Sequence, residues 1–170
     1  MKSPHANYKK TIGLTFALLL WMGIHMATAQ EIQVIKYEEL NQIIQKQDGK
    51  TRVINFWATW CAPCVKELPQ FEALYEKYKN KNTEVILVSM DFADQLDAKV
   101  KKFAAKKNLK STLYLLDETD YNSFIDKIDP AWSGAIPATL MIRSKTNTRI
   151  FIEKEFKEGE LEKVYLNFIN

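Results

Sequence analysis

Trp57-Ala58-Thr59-Trp60-Cys61-Ala62-Pro63-Cys64 contains both cysteines of the chain, two places apart. Before it, Val53-Ile54-Asn55-Phe56 is a short apolar run of strand type; after it, Val65, Leu68, Phe71, Tyr75 and Tyr78 recur at helical spacing. The cysteines therefore fall at a strand-to-helix junction, with Cys61 at the helix end and Cys64 one turn in. Unpaired backbone N–H groups and the helix dipole at such an end favour a thiolate, lowering a thiol pKa from about 8.5 into the range of roughly 3.5 to 7.5. The position predicts an exposed, nucleophilic Cys61 and a more buried Cys64 that resolves the intermediate.

Two cysteines at this spacing suit redox chemistry, metal binding or a structural bond. A closed zinc site needs about four Cys or His ligands. The only histidines, His5 and His25, both precede the region expected to fold. A disulfide closing so short a ring contributes about 2 kcal/mol, against about 4.7 kcal/mol for a loop of roughly 100 residues. Redox chemistry is therefore the favoured reading. Metal binding across chains, Cu(I) capture by the two thiolates and an inert pair are its alternatives.

The longer run from Asn55 through Cys61-Ala62-Pro63-Cys64-Val65-Lys66-Glu67-Leu68-Pro69 resembles the active-site segment of the TlpA/ResA-like branch of the thioredoxin superfamily. The likeness rests on the Trp-Cys-x-Pro-Cys core, the Glu three residues past the second cysteine and the proline inside the following helix. It implies an α/β, thioredoxin-like fold, a central mixed sheet flanked by helices, with an extra helix-strand insertion before the cis-proline strand. The implied activity is that of a thiol-disulfide oxidoreductase of the protein-disulfide reductase type, without cofactor or metal. Protein thiols and disulfides would be its substrates, a membrane or periplasmic protein its electron donor, and cytochrome c maturation one candidate process.

By the same resemblance, Cys61 and Cys64 are catalytic and Glu67 tunes them. Pro137, in Gly134-Ala135-Ile136-Pro137-Ala138, takes the place of the cis-proline facing the cysteines, leaving the Ile136 backbone free to pair with an extended peptide. Trp60, Ala62 and Pro63 complete the expected substrate surface. Residue type alone makes Glu67 a solvated helix glutamate, one turn beyond Cys64. Asn55 stands where cytosolic thioredoxins carry a buried Asp, and an amide cannot relay protons by titrating. Trp57 is expected in the core, and Trp132 as a packed tryptophan more than as a rim of the groove.

Composition bounds the rest. At 170 residues, 46% of them hydrophobic, the chain suits one domain with a real core. The formal charge of +3 comes from Lys2, Lys9 and Lys10, since no acid precedes Glu31 and the remainder is neutral. Neither a nucleic-acid surface nor a polybasic membrane patch is indicated. The lysines precede a mostly apolar stretch, residues 11–26, and then Ala27-Thr28-Ala29, a small-x-small cleavage pattern. Residues 1–29 read as a secretory signal peptide cut before Gln30, leaving a thioredoxin-like domain over 30–170 in the periplasm or another extracytoplasmic space. An uncleaved membrane anchor is the alternative.

Downstream, strand and helix signals alternate. Ile32 to Ile35 reads as a first strand, and Leu40, Ile43 and Ile44 as one face of a helix. The unbroken Val85-Ile86-Leu87-Val88 reads as a strand buried on both faces. Helical stripes are predicted at Leu96, Val100, Phe103 and Ala104 and at Tyr121, Phe124, Ile125 and Ile128, with a strand at Leu113 to Leu116 between them. A hairpin around residues 144–148 and a closing helix with Leu161, Val164, Tyr165 and Phe168 end the chain. Among other functions, a Cu(I) carrier of related type would need an added histidine, and a thiol peroxidase a Pro-x-x-x-Thr-x-x-Cys signature. The predicted mature chain, 30–170, shows neither.

Overall fold

The computed structural model describes residues 31–170, so the predicted leader and its cleavage point lie outside the described residues. The strands are β1 (Gln33–Ile35), β2 (Thr51–Trp57), β3 (Thr83–Ser89), β4 (Thr112–Leu116), β5 (Ala138–Arg143) and β6 (Thr148–Ile152). The helices are α1 (Tyr37–Gln45), α2 (Ala62–Tyr78), α3 (Lys101–Lys107), α4 (Ile125–Ile128) and α5 (Glu160–Ile169). The strands form one mixed sheet in the order β1-β4-β3-β2-β5-β6. The first four strands of that order are parallel, and the β5-β6 hairpin runs against β2.

β2 and β3 are the middle of the sheet, which is why Val85 to Val88 of β3 is an unbroken apolar run and β2 is apolar from Val53 to Trp57 except at Asn55. Val53, Ile54, Phe56, Ile86, Leu87 and Val88 are all buried. Parallel neighbours need crossover helices, and α2 joins β2 to β3 as α3 joins β3 to β4. The α3-β4 unit, followed by the short α4, is the expected insertion. It wedges β4 between β1 and β3 and leaves β1 at the sheet edge.

Strand alternation sends successive β2 side chains to opposite faces. Asn55 meets Glu67 of α2 and Trp57 packs 5.3 Å from Phe103 of α3, which sets these two helices on one face. On the other face Phe56 packs on Trp132 at 4.6 Å, and Phe124 joins Trp132 to Tyr37 of α1. α5 lies beside α2, with the Tyr165 and Tyr78 rings 4.7 Å apart.

Both helical stripes of the insertion are less regular than their periodicity predicts. The first begins as a π turn over Leu96–Val100. The second breaks into a 3-10 turn, Tyr121–Ser123, and the four-residue α4, because Phe124 leaves helical geometry at φ −133°. Its buried ring between Tyr37 and Trp132 accounts for the break: packing outweighs a local preference worth only tenths of a kcal/mol per residue, roughly 0.7 at most. Pro69 is held inside α2, which continues past it for nine more residues to Tyr78. No helix among the described residues is long and apolar enough to cross a membrane.

Candidate active site

The junction that carries the cysteines is built by backbone bonds. Met90 N donates to Trp57 O at 2.7 Å, and Cys61 N to Ala58 O at 3.2 Å, turning the chain from β2 into α2. Cys61 is the N-cap of α2, and its Sγ accepts from Cys64 N at 3.3 Å. Pro63 falls in the first turn, where a missing N–H costs no helix bond. Cys61 and Cys64 are joined in a disulfide with their Cα atoms 5.3 Å apart.

Cys64 is fully buried, and Cys61, expected to be exposed, retains only 6% of its accessible surface. The loop before β5 covers it: Ile136 O stands 3.7 Å from Cys61 Sγ. The Ile136–Pro137 peptide bond is cis. Ala138, the next residue, pairs with Phe56 of β2, so the end of one strand and the start of the other meet at the cysteines. Trp132 anchors this loop, with its buried ring against Phe56 and Phe151 and its Nε1 donating to Ala135 O at 2.8 Å. It supports the loop from below and does not rim the groove.

What remains exposed around Cys61 is Trp60, at 59%, with Ala62 and Pro63. An apolar groove of about 250 Å³ opens beside them, lined by Trp60, Met90, Tyr121, Gly134 and Ile136. Phe92, 60% exposed, follows Met90 by two residues. A larger cleft, about 700 Å³, runs between α2 and the 155–159 segment, and neither cysteine lines it.

Glu67 departs most from its residue-type expectation. It is fully buried, not solvated. One carboxyl oxygen accepts from Phe156 N at 2.7 Å and the other from Asn55 Nδ2 at 2.9 Å. Burial pushes its pKa up from 4.5 to about 7, against the downward pull of these two hydrogen bonds. A carboxyl group that titrates near neutrality, one turn from Cys64, can both take and return a proton at working pH. Asn55 Nδ2 also reaches Thr139 Oγ1 at 3.2 Å and Ala138 O at 3.4 Å, whereas its buried Oδ1 has no hydrogen-bond partner among the described residues.

A second buried carboxyl group went unnoticed in the sequence. Asp91, just past β3, accepts from Thr59 N at 2.9 Å, Thr59 Oγ1 at 2.5 Å and Ser89 Oγ at 2.8 Å. The available signal was Ser89-Met90-Asp91 closing an apolar strand, since parallel neighbours end side by side.

Comparison with known proteins agrees with this geometry. The Redoxin family model matches residues 28–165. Thiol-disulfide oxidoreductase ResA of Bacillus cereus is 36% identical over 121 residues, 68% of this chain and 64% of that protein. ResA of Bacillus thuringiensis subsp. konkukian is 47% identical over 62 residues, 36% of this chain and 34% of that protein. The chain thus spans less than two thirds of the length of these curated relatives. Among solved structures, a thioredoxin-related protein from Neisseria meningitidis serogroup B superposes with a TM-score of 0.59 at 25% identity, covering 75% of this chain and 91% of that one. The cysteine motif, the mixed sheet and a family match over most of the length agree, and the chain belongs to the redoxin family.

Proposed function

We propose that this protein is an extracytoplasmic thiol-disulfide oxidoreductase that reduces or isomerises disulfides of exported proteins. The observation that carries the reading is the Cys61–Cys64 pair at the start of α2, with Cys61 Sγ 3.7 Å from Ile136 O and beside an open apolar groove. Helix dipole and free N–H groups favour the Cys61 thiolate over a thiolate deeper in the chain.

In the reduced protein the Cys61 thiolate attacks one sulfur of a substrate disulfide. A Cys61–substrate bond forms, and the other substrate sulfur leaves as a thiolate and takes up a proton. Cys64 then loses its proton, with the Glu67 carboxylate one turn away as acceptor, and attacks Cys61 Sγ. The intramolecular disulfide forms and the second substrate sulfur departs. Two electrons have passed to the substrate, and the protein is left in the oxidised state described above. Return to the dithiol needs a dithiol donor, which in an exported setting is a membrane or periplasmic protein. While the mixed disulfide exists, the Ile136 backbone and the surface of Trp60, Ala62, Pro63 and Pro137 hold the substrate strand.

Lys2, Lys9 and Lys10, the apolar stretch 11–26 and Ala27-Thr28-Ala29 support export, and the resemblance of the cysteine segment to the TlpA/ResA-like branch makes cytochrome c maturation a process to test first. Expression of a Cys64→Ser variant with its leader, followed by identification of disulfide-linked adducts, tests the whole reading. Cysteine-bearing exported proteins are expected among the adducts, apocytochromes c included if that process is served. Adducts with cytosolic proteins alone, or none at all, would overturn it.

A further inference from the structure

We infer that Asp91 is a positioning residue, whose carboxyl group ties the 90–92 loop to the 59–61 turn and so sets the width of the groove that receives the substrate chain beside its disulfide. The inference rests on the function proposed above and assigns the substrate class: an extended peptide with an apolar side chain next to the cysteine under attack.

The register of the sheet makes the tie possible. Trp57 and Ser89 are paired at the ends of β2 and β3, so the turns that follow them lie side by side. Asp91 fills the gap, with its side chain shut off from solvent. Oδ2 accepts from Thr59 N and Ser89 Oγ, and Oδ1 accepts from Thr59 Oγ1 while Lys99 Nζ stands 4.0 Å away. Ser89 Oγ accepts in turn from Asp91 N at 3.1 Å. With both oxygens engaged from two elements, the carboxyl group has one orientation, and the turns cannot separate without breaking buried hydrogen bonds.

What each turn carries gives the tie its effect. Thr59 is followed by Trp60 and then Cys61. Asp91 is flanked by Met90 and Phe92. Trp60 and Met90 both line the groove, so Asp91 and Thr59 fix the distance between two of its walls. Tyr121, on a further wall, has its OH 3.5 Å from Met90 O. The walls offer apolar surface with few polar groups, which selects apolar side chains on the incoming strand. Asparagine at position 91 would keep the shape but replace one acceptor oxygen by an NH₂, leaving a Thr59 or Ser89 donor without its acceptor.

The test compares rates at which the reduced protein is oxidised by hydroxyethyl disulfide, too small to span the groove, and by a peptide disulfide with leucine and phenylalanine beside its cysteines. The readout is the ratio of the peptide rate to the small-disulfide rate. Asp91→Asn is expected to lower that ratio about ten-fold, because displaced walls weaken positioning. Thr59→Val is expected to lower it in the same direction, and Thr59→Ser, which keeps the hydroxyl donor, to restore it. An unchanged ratio in Asp91→Asn and Thr59→Val, or equal slowing with both disulfides, would overturn the inference. If Asp91→Asn does not fold, the two Thr59 variants decide. If the unmodified protein reacts with neither disulfide, the proposed function fails and amide hydrogen exchange judges the tie: lower protection of the residue 59 amide, which donates to Asp91, in Thr59→Val supports it, and unchanged protection overturns it.

Discussion

The backbone N–H of Phe156 donates a 2.7 Å hydrogen bond to Glu67, 89 residues earlier in the chain. Gln70, one turn further along α2, donates to Phe156 O at 2.7 Å. The segment before α5 is therefore latched to the helix that begins at the cysteines, and it closes over a carboxyl group that would otherwise meet water.

Stability should depend on pH through that group. Its pKa of about 7 in the folded chain lies above the ordinary 4.5, so between these values the folded state holds the proton more tightly than the unfolded state. Stability is then greatest below the unfolded value and falls as pH rises through about 7, by about 3 kcal/mol in all at roughly 1.4 kcal/mol per unit. Glu67→Gln removes the titration, and Asn55 can turn its unpartnered Oδ1 toward the new amide. The oxidised variant should match the unmodified protein near pH 4.5 and exceed it at pH 8 by up to about 3 kcal/mol. Urea unfolding at both pH values measures this, and a variant less stable at pH 8 would contradict it.

The two cysteines should react unequally. Cys64 is fully buried, whereas Cys61 keeps 6% of its accessible surface beside the exposed Trp60. In the reduced protein at mildly acidic pH, Cys61 is expected to alkylate at least about ten-fold faster, as a low-pKa thiol at a helix start does. Cys64→Ser should accumulate mixed disulfides and Cys61→Ser should not. Peptide mapping after timed alkylation decides; equal rates would reverse the assignment.

Much of this site was legible because the information was local. The Trp-Cys-x-Pro-Cys segment, the strand before it and the helix after it follow from adjacent residues and their spacing, and the central place of Val85 to Val88 from an unbroken apolar run. Glu67 was legible in position but not in environment. Its neighbour along the helix, Lys66, is exposed, and only the arrival of Phe156 from beyond β6 decides that Glu67 is not. Asp91 failed for a related reason: its partner Thr59 lies 32 residues away, and the two meet only once the parallel register of β2 and β3 is known. The covering of Cys61 likewise comes from the 132–137 loop, held by Trp132, whose packed place the sequence did suggest.

The reduction potential should lie toward the reducing end of the range. Known dithiol proteins extend from about −270 mV for thioredoxin to about −120 mV for DsbA, whose reduced form is unusually stabilised. Between the cysteines here stand only Ala62 and Pro63, without charge or side-chain donor, and the described residues contain no histidine. The buried Glu67 opposes a second negative charge on Cys64. Equilibration with a glutathione buffer is expected to give a value below about −200 mV. A result near that of DsbA would show that a stabilising group has been overlooked.

Gly134 should resist substitution. Its φ of +92° lies where an L side chain is strained, and an added Cβ would come within 2.9 Å of Ile125 Cδ1. The isoleucine methyl can move aside, so the backbone accounts for most of the cost. Gly134→Ala is expected to lose about 1 to 3 kcal/mol in urea unfolding. Unaltered stability would mean that the loop has relaxed into another conformation.

The sheet order also bears on how such a protein can diversify. β1, β4, β3 and β2 all point their carboxyl ends the same way, and β5 starts at that end. Trp60, Met90, Phe92, Tyr121 and Ile136 are therefore all supplied by connections along a single rim, whereas the buried runs of β2 and β3 lie inside the sheet. The same connections also send Val100, Phe124 and Trp132 into the core, so outward and inward positions alternate along each of them. Substitutions meant to change which chain docks at this rim therefore belong at its outward positions, such as the exposed Phe92 and the half-buried Tyr121, while Asp91, Phe124, Trp132 and Gly134 of the same connections stay as they are.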